Sequence, residues 1–124
     1  MQKRLLLIAY YFPPLGMSGV QRVLKWAKYL PGNGWKVTVL TARPAAYFAR
    51  DETLLSDLEG KDVEVVRTKS LDPTRWVRSS TSELPAENKR QLLSGISQAL
   101  FQPDNKIGWY PFAIAAGQSI LEND

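Results

Sequence analysis

Residues 4–30, RLLLIAYYFPPLGMSGVQRVLKWAKYL, contain an apolar run, a loop rich in proline and glycine, and an amphipathic segment, in that order. The run at residues 4–11 is almost continuously apolar rather than alternating. Such a run is typical of a strand that is buried on both faces, as parallel strands of α/β proteins are. Pro13 and Pro14 each remove a backbone donor, so they cannot continue a central strand. We therefore expect a buried strand that ends just before the two prolines.

An amphipathic helix is expected after this loop. Ser18 with Gln21 three residues later matches a capping box, which predicts a helix that starts at Ser18. One face of the helix is apolar and carries Val20, Val23, Leu24, Ala27 and Leu30; the other carries Gln21, Arg22, Lys25 and Lys28. The helix points its unpaired amides and the positive end of its dipole at the loop. The loop is thus interpreted either as an anion site, most often for phosphate, or as a plain strand-to-helix turn.

Further strand and helix signals follow along the chain. Residues 31–34, PGNG, end the first helix, and residues 35–41, WKVTVLT, predict a second strand. Asp51 is expected to cap a short helix at residues 52–58 that Gly60 closes, and residues 62–68 predict a third strand. Right-handed crossovers make these strands parallel. The order β-α-β-α-β predicts an α/β fold, half of a doubly wound sheet.

The C-terminal third predicts a polar surface loop at residues 70–87 and helices at residues 88–101 and 112–121. The last helix leads to no further strand, and the usual strand order would leave the apolar first strand at an edge. Natural proteins avoid long apolar edges. We therefore expect residues 1–124 to be a partial domain of a longer chain. We also expect self-association of the isolated chain through its first strand.

Composition excludes several classes of chemistry. The chain has no Cys and no His, so neither a thiol nucleophile nor a histidine base or metal ligand is present. A net charge of +4 suits anionic ligands or an anionic membrane surface, but does not indicate nucleic-acid binding. No apolar run approaches the ~20 residues of a membrane span. We expect a cytoplasmic protein, with peripheral contact at the inner membrane face as an option.

Two groups of side chains are candidate sites with more than one interpretation. Tyr10, Tyr11 and Phe12 end the first strand, where α/β sheets bind ligands, so they either stack on a sugar or base or pack under the next helix. A set of acidic residues is interpreted as a solvated face rather than as a metal or acid/base site: Asp51, Glu52, Asp57 and Glu59. No metal site and no cofactor is expected.

Several segments resemble the N-terminal domain of glycosyltransferase family 4 enzymes. These are the strand at residues 4–11, then FPPLGMSGVQR at 12–22, KYL at 28–30, GWKVTVLT at 34–41 and PDNKIGWYP at 103–111. The resemblance covers essentially the whole chain. It implies a GT-B architecture, in which two Rossmann-like domains, each a parallel sheet with helices on both faces, enclose the active site. The donor-binding C-terminal domain, with its Glu-x₇-Glu motif, is absent from residues 1–124.

The resemblance also implies roles for individual residues. The loop after the first strand would bind the diphosphate and sugar of the donor, through Gly16, Met17, Ser18, Gly19 and Arg22. The acceptor side would include Tyr11, Phe12, Pro13 and Pro14. Many relatives carry glycine where Met17 stands, and the Cβ of Met17 disfavours a positive φ there.

The function expected from the resemblance is that of an acceptor-side fragment of a retaining glycosyltransferase of the hexosyltransferase type. Its partners would be a nucleotide-sugar and a glycan or lipid-linked acceptor, as in polysaccharide biosynthesis. The fragment alone is expected to be inactive, because half of the cleft is missing. The alternatives are a stand-alone α/β module that binds an anion or a partner, and an inactive gene remnant.

Overall fold

The computed structural model describes residues 2–16, 18–44, 50–71 and 106–123, and the structural statements below concern these residues. Three strands and three helices are present: β1 (Lys3–Ile8), α1 (Ser18–Tyr29), β2 (Trp35–Ala42), α2 (Thr53–Ser56), β3 (Val63–Thr68) and α3 (Tyr110–Asn123). Single 3₁₀ turns lie at Pro31–Asn33 and Ile107–Trp109. The helix expected at residues 88–101 lies outside the described residues, as does the loop expected at 70–87 beyond its first two residues.

The strands form one parallel sheet in the order β1-β2-β3. Lys3 of β1 lies beside Trp35 of β2, and Val37 of β2 lies beside Val63 of β3. The expected α/β fold with an open parallel sheet is thereby confirmed, and it is consistent with a Rossmann-like arrangement. Strand β1 lies at one edge of the described sheet, as its position in the predicted order requires.

Strand β2 is covered on both faces, because its side chains alternate between two apolar clusters. Val37 and Val39 pack with Ala27 of α1 on one face. Leu40 and Ala42 pack with Trp109 on the other face, next to the start of α3. All residues from Val37 to Ala42 are buried, which explains the uninterrupted run of β-branched and apolar residues in this strand.

Strand β1 ends at Ile8, three residues earlier than the apolar run predicts. The Ala9 N–H still donates to the Leu40 carbonyl at 2.9 Å. Beyond it, the buried Thr41 hydroxyl donates to the Tyr10 carbonyl at 3.1 Å, so a side chain takes the place of a ladder bond. The chain then leaves the sheet, and Phe12 turns into the core under α1.

The helices differ from prediction mainly at their ends. Helix α1 begins at Ser18, the residue at which the sequence pattern places its start. Helix α2 is a single turn, shorter than residues 52–58. Asp51 nonetheless accepts a hydrogen bond from the Thr53 N–H at 3.0 Å, in an Asx-type turn. Gly60, at φ +71°, ends the following turn as predicted.

Candidate functional site

The loop between β1 and α1 lies at the carboxyl edge of the sheet. It leads from the end of β1 to Ser18, where the N-terminal amides of α1 begin. Because the strands are parallel, the ends of β2 and β3 meet the same edge. This is the edge at which open α/β sheets bind ligands.

The first half of the loop is anchored by contacts from distant parts of the chain. Phe12 and Leu15 are 1% and 2% exposed. The Asp51 N–H donates to the Pro14 carbonyl at 2.7 Å, and Leu15 forms a bridge with Arg50. These contacts hold the backbone on both sides of the cis Pro13–Pro14 peptide.

Arg67 of β3 supplies a further anchor, which the sequence analysis did not identify. Its guanidinium donates to the Pro13 carbonyl, and its Nη1 is buried with no hydrogen-bond partner among the described residues. Burial lowers the pKa of the Arg67 guanidinium, and the nearby carboxylate of Glu52 partly opposes this shift. The only sequence signal was a positive charge within the strand predicted at residues 62–68, which gave no indication of its partner.

The second half of the loop is open to solvent. Gly16, Ser18 and Gly19 are exposed, and a Cβ added to Gly19 would meet no atom within 4 Å. Arg22, in the first turn and a half of α1, is exposed as well. Met17 lies outside the described residues. The amides at the start of α1 and the Arg22 guanidinium are therefore accessible to an anion from solvent.

The four residues expected on the acceptor side are mostly inside the protein. Phe12, Pro13 and Pro14 are buried, whereas Tyr11 is half-buried. Of these four side chains, only that of Tyr11 has appreciable surface to offer a ligand in this conformation. Phe12 adopts the packing role that was the alternative to sugar stacking.

Lys106 lies next to the aromatic residues that follow β1 at the edge of the site. Its Nζ lies 5.2 Å from the centre of the Tyr10 ring and 5.8 Å from that of Tyr11. The two tyrosine rings meet edge-to-face at 5.0 Å, and Tyr10 meets Trp109 in the same way at 5.3 Å. A cation over two ring faces is an attractive arrangement that fixes the position of the charge. Residues 103–111 contributed to the family resemblance, but no local pattern predicted that Lys106 approaches residues about a hundred positions away.

An apolar groove of about 530 Å³ lies between β1 and α3, and Lys106 and Trp109, which contact Tyr10, also line it. Its walls include Leu6, Ile8, Ile107, Tyr110, Ile114 and Leu121. It opens at the free edge of β1, on the sheet face opposite α1. Gly16, Ser18, Gly19 and Arg22 do not line it.

Asp57, one of the acidic residues of the α2 region, pairs with lysines of α1. Asp57 accepts a hydrogen bond from Lys28 Nζ at 2.9 Å, and Lys25 Nζ lies 3.8 Å away. Within the described ranges, no group of three or more acidic side chains is arranged to hold a metal ion. No helix in those ranges is long and apolar enough to cross a membrane.

Comparisons with protein-family models, with curated proteins and with solved structures find no match to this chain.

Proposed function

We propose that this chain is the N-terminal, acceptor-side domain of a retaining glycosyltransferase. The enzyme would transfer a sugar from a nucleotide-sugar to a polysaccharide or glycolipid acceptor in the cytoplasm, at the inner membrane face. The proposal rests on the sequence resemblance and on one structural observation: Gly16, Ser18 and Gly19 are exposed where β1 passes into α1. An anchored loop that leads into an exposed helix N-terminus is suited to a diphosphate.

The proposed chemistry of the loop is electrostatic. Negative charge develops on the donor diphosphate as the bond to the sugar breaks, and fixed amide dipoles stabilise that charge without reorganising. Arg22 would add a charge-assisted hydrogen bond, because a guanidinium matches the geometry of phosphate oxygens. Tyr11 would contact the acceptor at the same edge of the sheet.

Half of the proposed cleft comes from a second domain that would bind the nucleotide. The isolated chain should therefore bind diphosphate weakly and catalyse no transfer. If the coding sequence continues in frame past residue 124, the proposal predicts a second domain with a Glu-x₇-Glu motif.

The test uses amide NMR of the full 124-residue chain. Inorganic pyrophosphate is titrated at constant ionic strength, with sodium chloride as the reference salt. We expect saturable shifts of the Gly16, Ser18 and Gly19 amides at millimolar pyrophosphate. Arg22→Gln should weaken binding roughly three- to tenfold, as expected for loss of one charge-assisted hydrogen bond.

Lys25→Gln is the matched control, since it removes the same charge from the same helix one turn further along. Binding should be unchanged in this variant apart from a small general charge effect. Absence of shifts at the three amides, or equal effects of the two variants, overturns the proposed site. Sub-millimolar affinity of the chain alone for a nucleotide-sugar favours the stand-alone module instead. Sugar transfer by the chain alone refutes the proposal that this chain forms only half of the cleft.

A further inference from the structure

The outward face of α1 carries two large aromatic side chains that the rest of the described chain leaves more than half exposed. Trp26 is 53% exposed and Tyr29 is 59% exposed. Arg22 and Lys25 are exposed on the same side of the helix. At 3.6 residues per turn, these four side chains fall within a sector of about 100° around the helix axis. They form one continuous surface, which we call the aromatic–basic strip.

The charges of α1 are all positive. The helix contains no acidic residue, and its third cation, Lys28, donates a hydrogen bond to Asp57 at 2.9 Å. Lys25 Nζ lies 3.8 Å from the same carboxylate, so one Asp faces two of the three cations of the helix. Trp26 lies about 160° around the helix axis from Lys28. Asp57 therefore lies at the flank of α1 away from Trp26.

The neighbouring elements leave a positive excess around the strip. Lys3 lies on the same face of the sheet as α1, because its Nζ is 5.4 Å from the centre of the Trp35 ring, which packs against the core cluster under α1. The turn after α2 carries Glu59, Lys61 and Asp62. When these groups are counted with Asp57 and the three cations of α1, five cations face three carboxylates. The excess favours an anionic partner.

The side chains and the shape of the strip indicate which anionic partner fits. Trp and Tyr are enriched at the headgroup level of bilayers, where one end of each ring is apolar and the other is hydrated. Anionic lipids attract Lys and Arg near the membrane surface. Protein interfaces, in contrast, are depleted in Lys, and single-stranded nucleic acid is bound in grooves rather than on a convex helix face. A lipid surface fits best.

We propose that the aromatic–basic strip of α1 docks on an anionic membrane surface. Trp26 and Tyr29 would enter the headgroup region, while Arg22 and Lys25 would lie beside lipid phosphates. The helix would lie parallel to the membrane, with its buried stripe still packed on the sheet. Two aromatic rings and a few charges give weak, reversible binding, which we expect to need roughly millimolar lipid.

This contact would also orient the candidate site. Helix α1 begins at Ser18, directly after the exposed part of the loop. A membrane along α1 would therefore hold that loop close to a lipid-linked acceptor. This consequence rests on the proposed function, whereas the membrane contact itself rests only on the surface of α1.

The test measures binding of the full 124-residue chain to lipid vesicles by co-sedimentation. One set of vesicles contains one part phosphatidylglycerol to two parts phosphatidylcholine, and the other contains phosphatidylcholine alone. We expect saturable binding to the anionic vesicles that weakens as sodium chloride is raised, because salt screens the attraction. Binding to the neutral vesicles should be much weaker.

Tyr29→Ser and Tyr110→Ser are a matched pair of variants. Tyr29 lies on the strip, whereas Tyr110, which is 65% exposed, lies in α3 on the opposite face of the sheet. Tyr29→Ser should weaken vesicle binding roughly four- to tenfold, since the exposed half of a large side chain no longer enters the membrane. Trp26→Ser should act similarly, and Tyr110→Ser should bind like the parent. Circular dichroism verifies that each variant is folded.

Tryptophan fluorescence locates the contact. Lipids brominated near the headgroup quench an indole ring that touches them. Trp26→Phe keeps an aromatic ring in the strip, so it should bind nearly as well as the parent but lose most of the quenching. A variant that merely perturbed the fold would not separate these two readouts.

Absence of saturable binding to the anionic vesicles overturns the proposal. So do equal effects of Tyr29→Ser and Tyr110→Ser, and quenching that survives in Trp26→Phe. A mass that rises with concentration without lipid, and that Tyr29→Ser restores to 14.0 kDa, assigns the strip to a second copy instead. Oligonucleotide binding that Trp26→Ser weakens assigns it to nucleic acid.

The vesicle test and the pyrophosphate test give separate answers. Trp26→Ser and Tyr29→Ser should leave the pyrophosphate-induced shifts of the Gly16, Ser18 and Gly19 amides unchanged. Vesicle binding in turn is measured without pyrophosphate. The membrane contact and the proposed function can therefore fail independently.

Discussion

Replacing Gly108 with alanine tests whether the segment before α3 is held against the end of β3 as closely as the structure shows. Gly108 is buried in the 3₁₀ turn Ile107–Trp109. A Cβ at this position would lie 2.7 Å from the Leu71 carbonyl oxygen and 3.0 Å from its carbonyl carbon. The Leu71 N–H donates to the Gly108 carbonyl at 3.2 Å, so the two backbones are tied together. A backbone segment would have to move to admit the methyl group.

Overpacking of this kind costs about 1–3 kcal/mol of unfolding free energy. For a chain of this size the midpoint temperature changes by about 4 °C per kcal/mol. Gly108→Ala should therefore lower the melting temperature by about 4–12 °C. The displaced turn precedes Trp109, whose indole N–H donates to the Thr68 hydroxyl at 2.7 Å. We expect that hydrogen bond to weaken with it.

Gly117→Ala is the matched control. A Cβ there would lie 3.7 Å from Leu40 Cδ2, an ordinary contact, and the position is inside α3. Alanine is favoured over glycine in a helix by about 0.5–1 kcal/mol, so this variant should be slightly more stable. Thermal unfolding followed by circular dichroism, at one low protein concentration, gives both values. If Gly108→Ala melts at or above the parent temperature, the close approach of Gly108 to Leu71 is not present.

Two further variants probe contacts of the same fold. Lys28 lowers the pKa of Asp57 through a hydrogen bond, and Asp57 raises that of Lys28. The pair therefore contributes its full stability above the ordinary Asp pKa of 3.8 and below the ordinary Lys pKa of 10.5. This contribution is lost as pH falls through the lowered Asp57 pKa or rises through the raised Lys28 pKa. Asp57→Asn should thus lower the melting temperature at pH 7, by less than Gly108→Ala, and its difference from the parent should shrink as pH is lowered below 3.8. Thr41→Val should lower the free energy of unfolding, measured with urea, by about 1–2 kcal/mol, because the buried hydrogen bond to the Tyr10 carbonyl is lost. An unchanged urea midpoint would show that this bond does not hold the end of β1.

Local patterns predicted most of the central fold. The continuous apolar run of β1, the amphipathic spacing of α1 and the β-branched residues of β2 each indicated an element from local sequence. Parallel order then follows from the handedness of crossovers. The patterns did not predict the last residue of β1, because a tertiary contact determines where that strand ends. The Thr41 hydroxyl, 31 residues away in sequence, donates to the Tyr10 carbonyl just beyond the strand.

The sequence predicted the position of the candidate site but only some of the residues that form it. A strand, a loop and a helix N-terminus at one sheet edge indicated where an anion could bind. Arg67 and Lys106 were missed, because each reaches the loop region from more than fifty residues away. Local sequence also could not show that Phe12 turns inward while Gly16 stays exposed, since that depends on how α1 packs on the sheet.

The boundary between Leu15 and Gly16 connects the structure of this loop to its proposed role. Up to Leu15 the loop is buried, and its carbonyls at Pro13 and Pro14 accept hydrogen bonds from Arg67 and Asp51. From Gly16 onward the backbone is exposed. A binding site gains affinity when its donors are already in position, because little conformational freedom is lost on binding. The buried half therefore fixes the backbone from which the exposed amides extend, and weakening an anchor such as Arg67 should reduce pyrophosphate affinity without removing any group that contacts the anion.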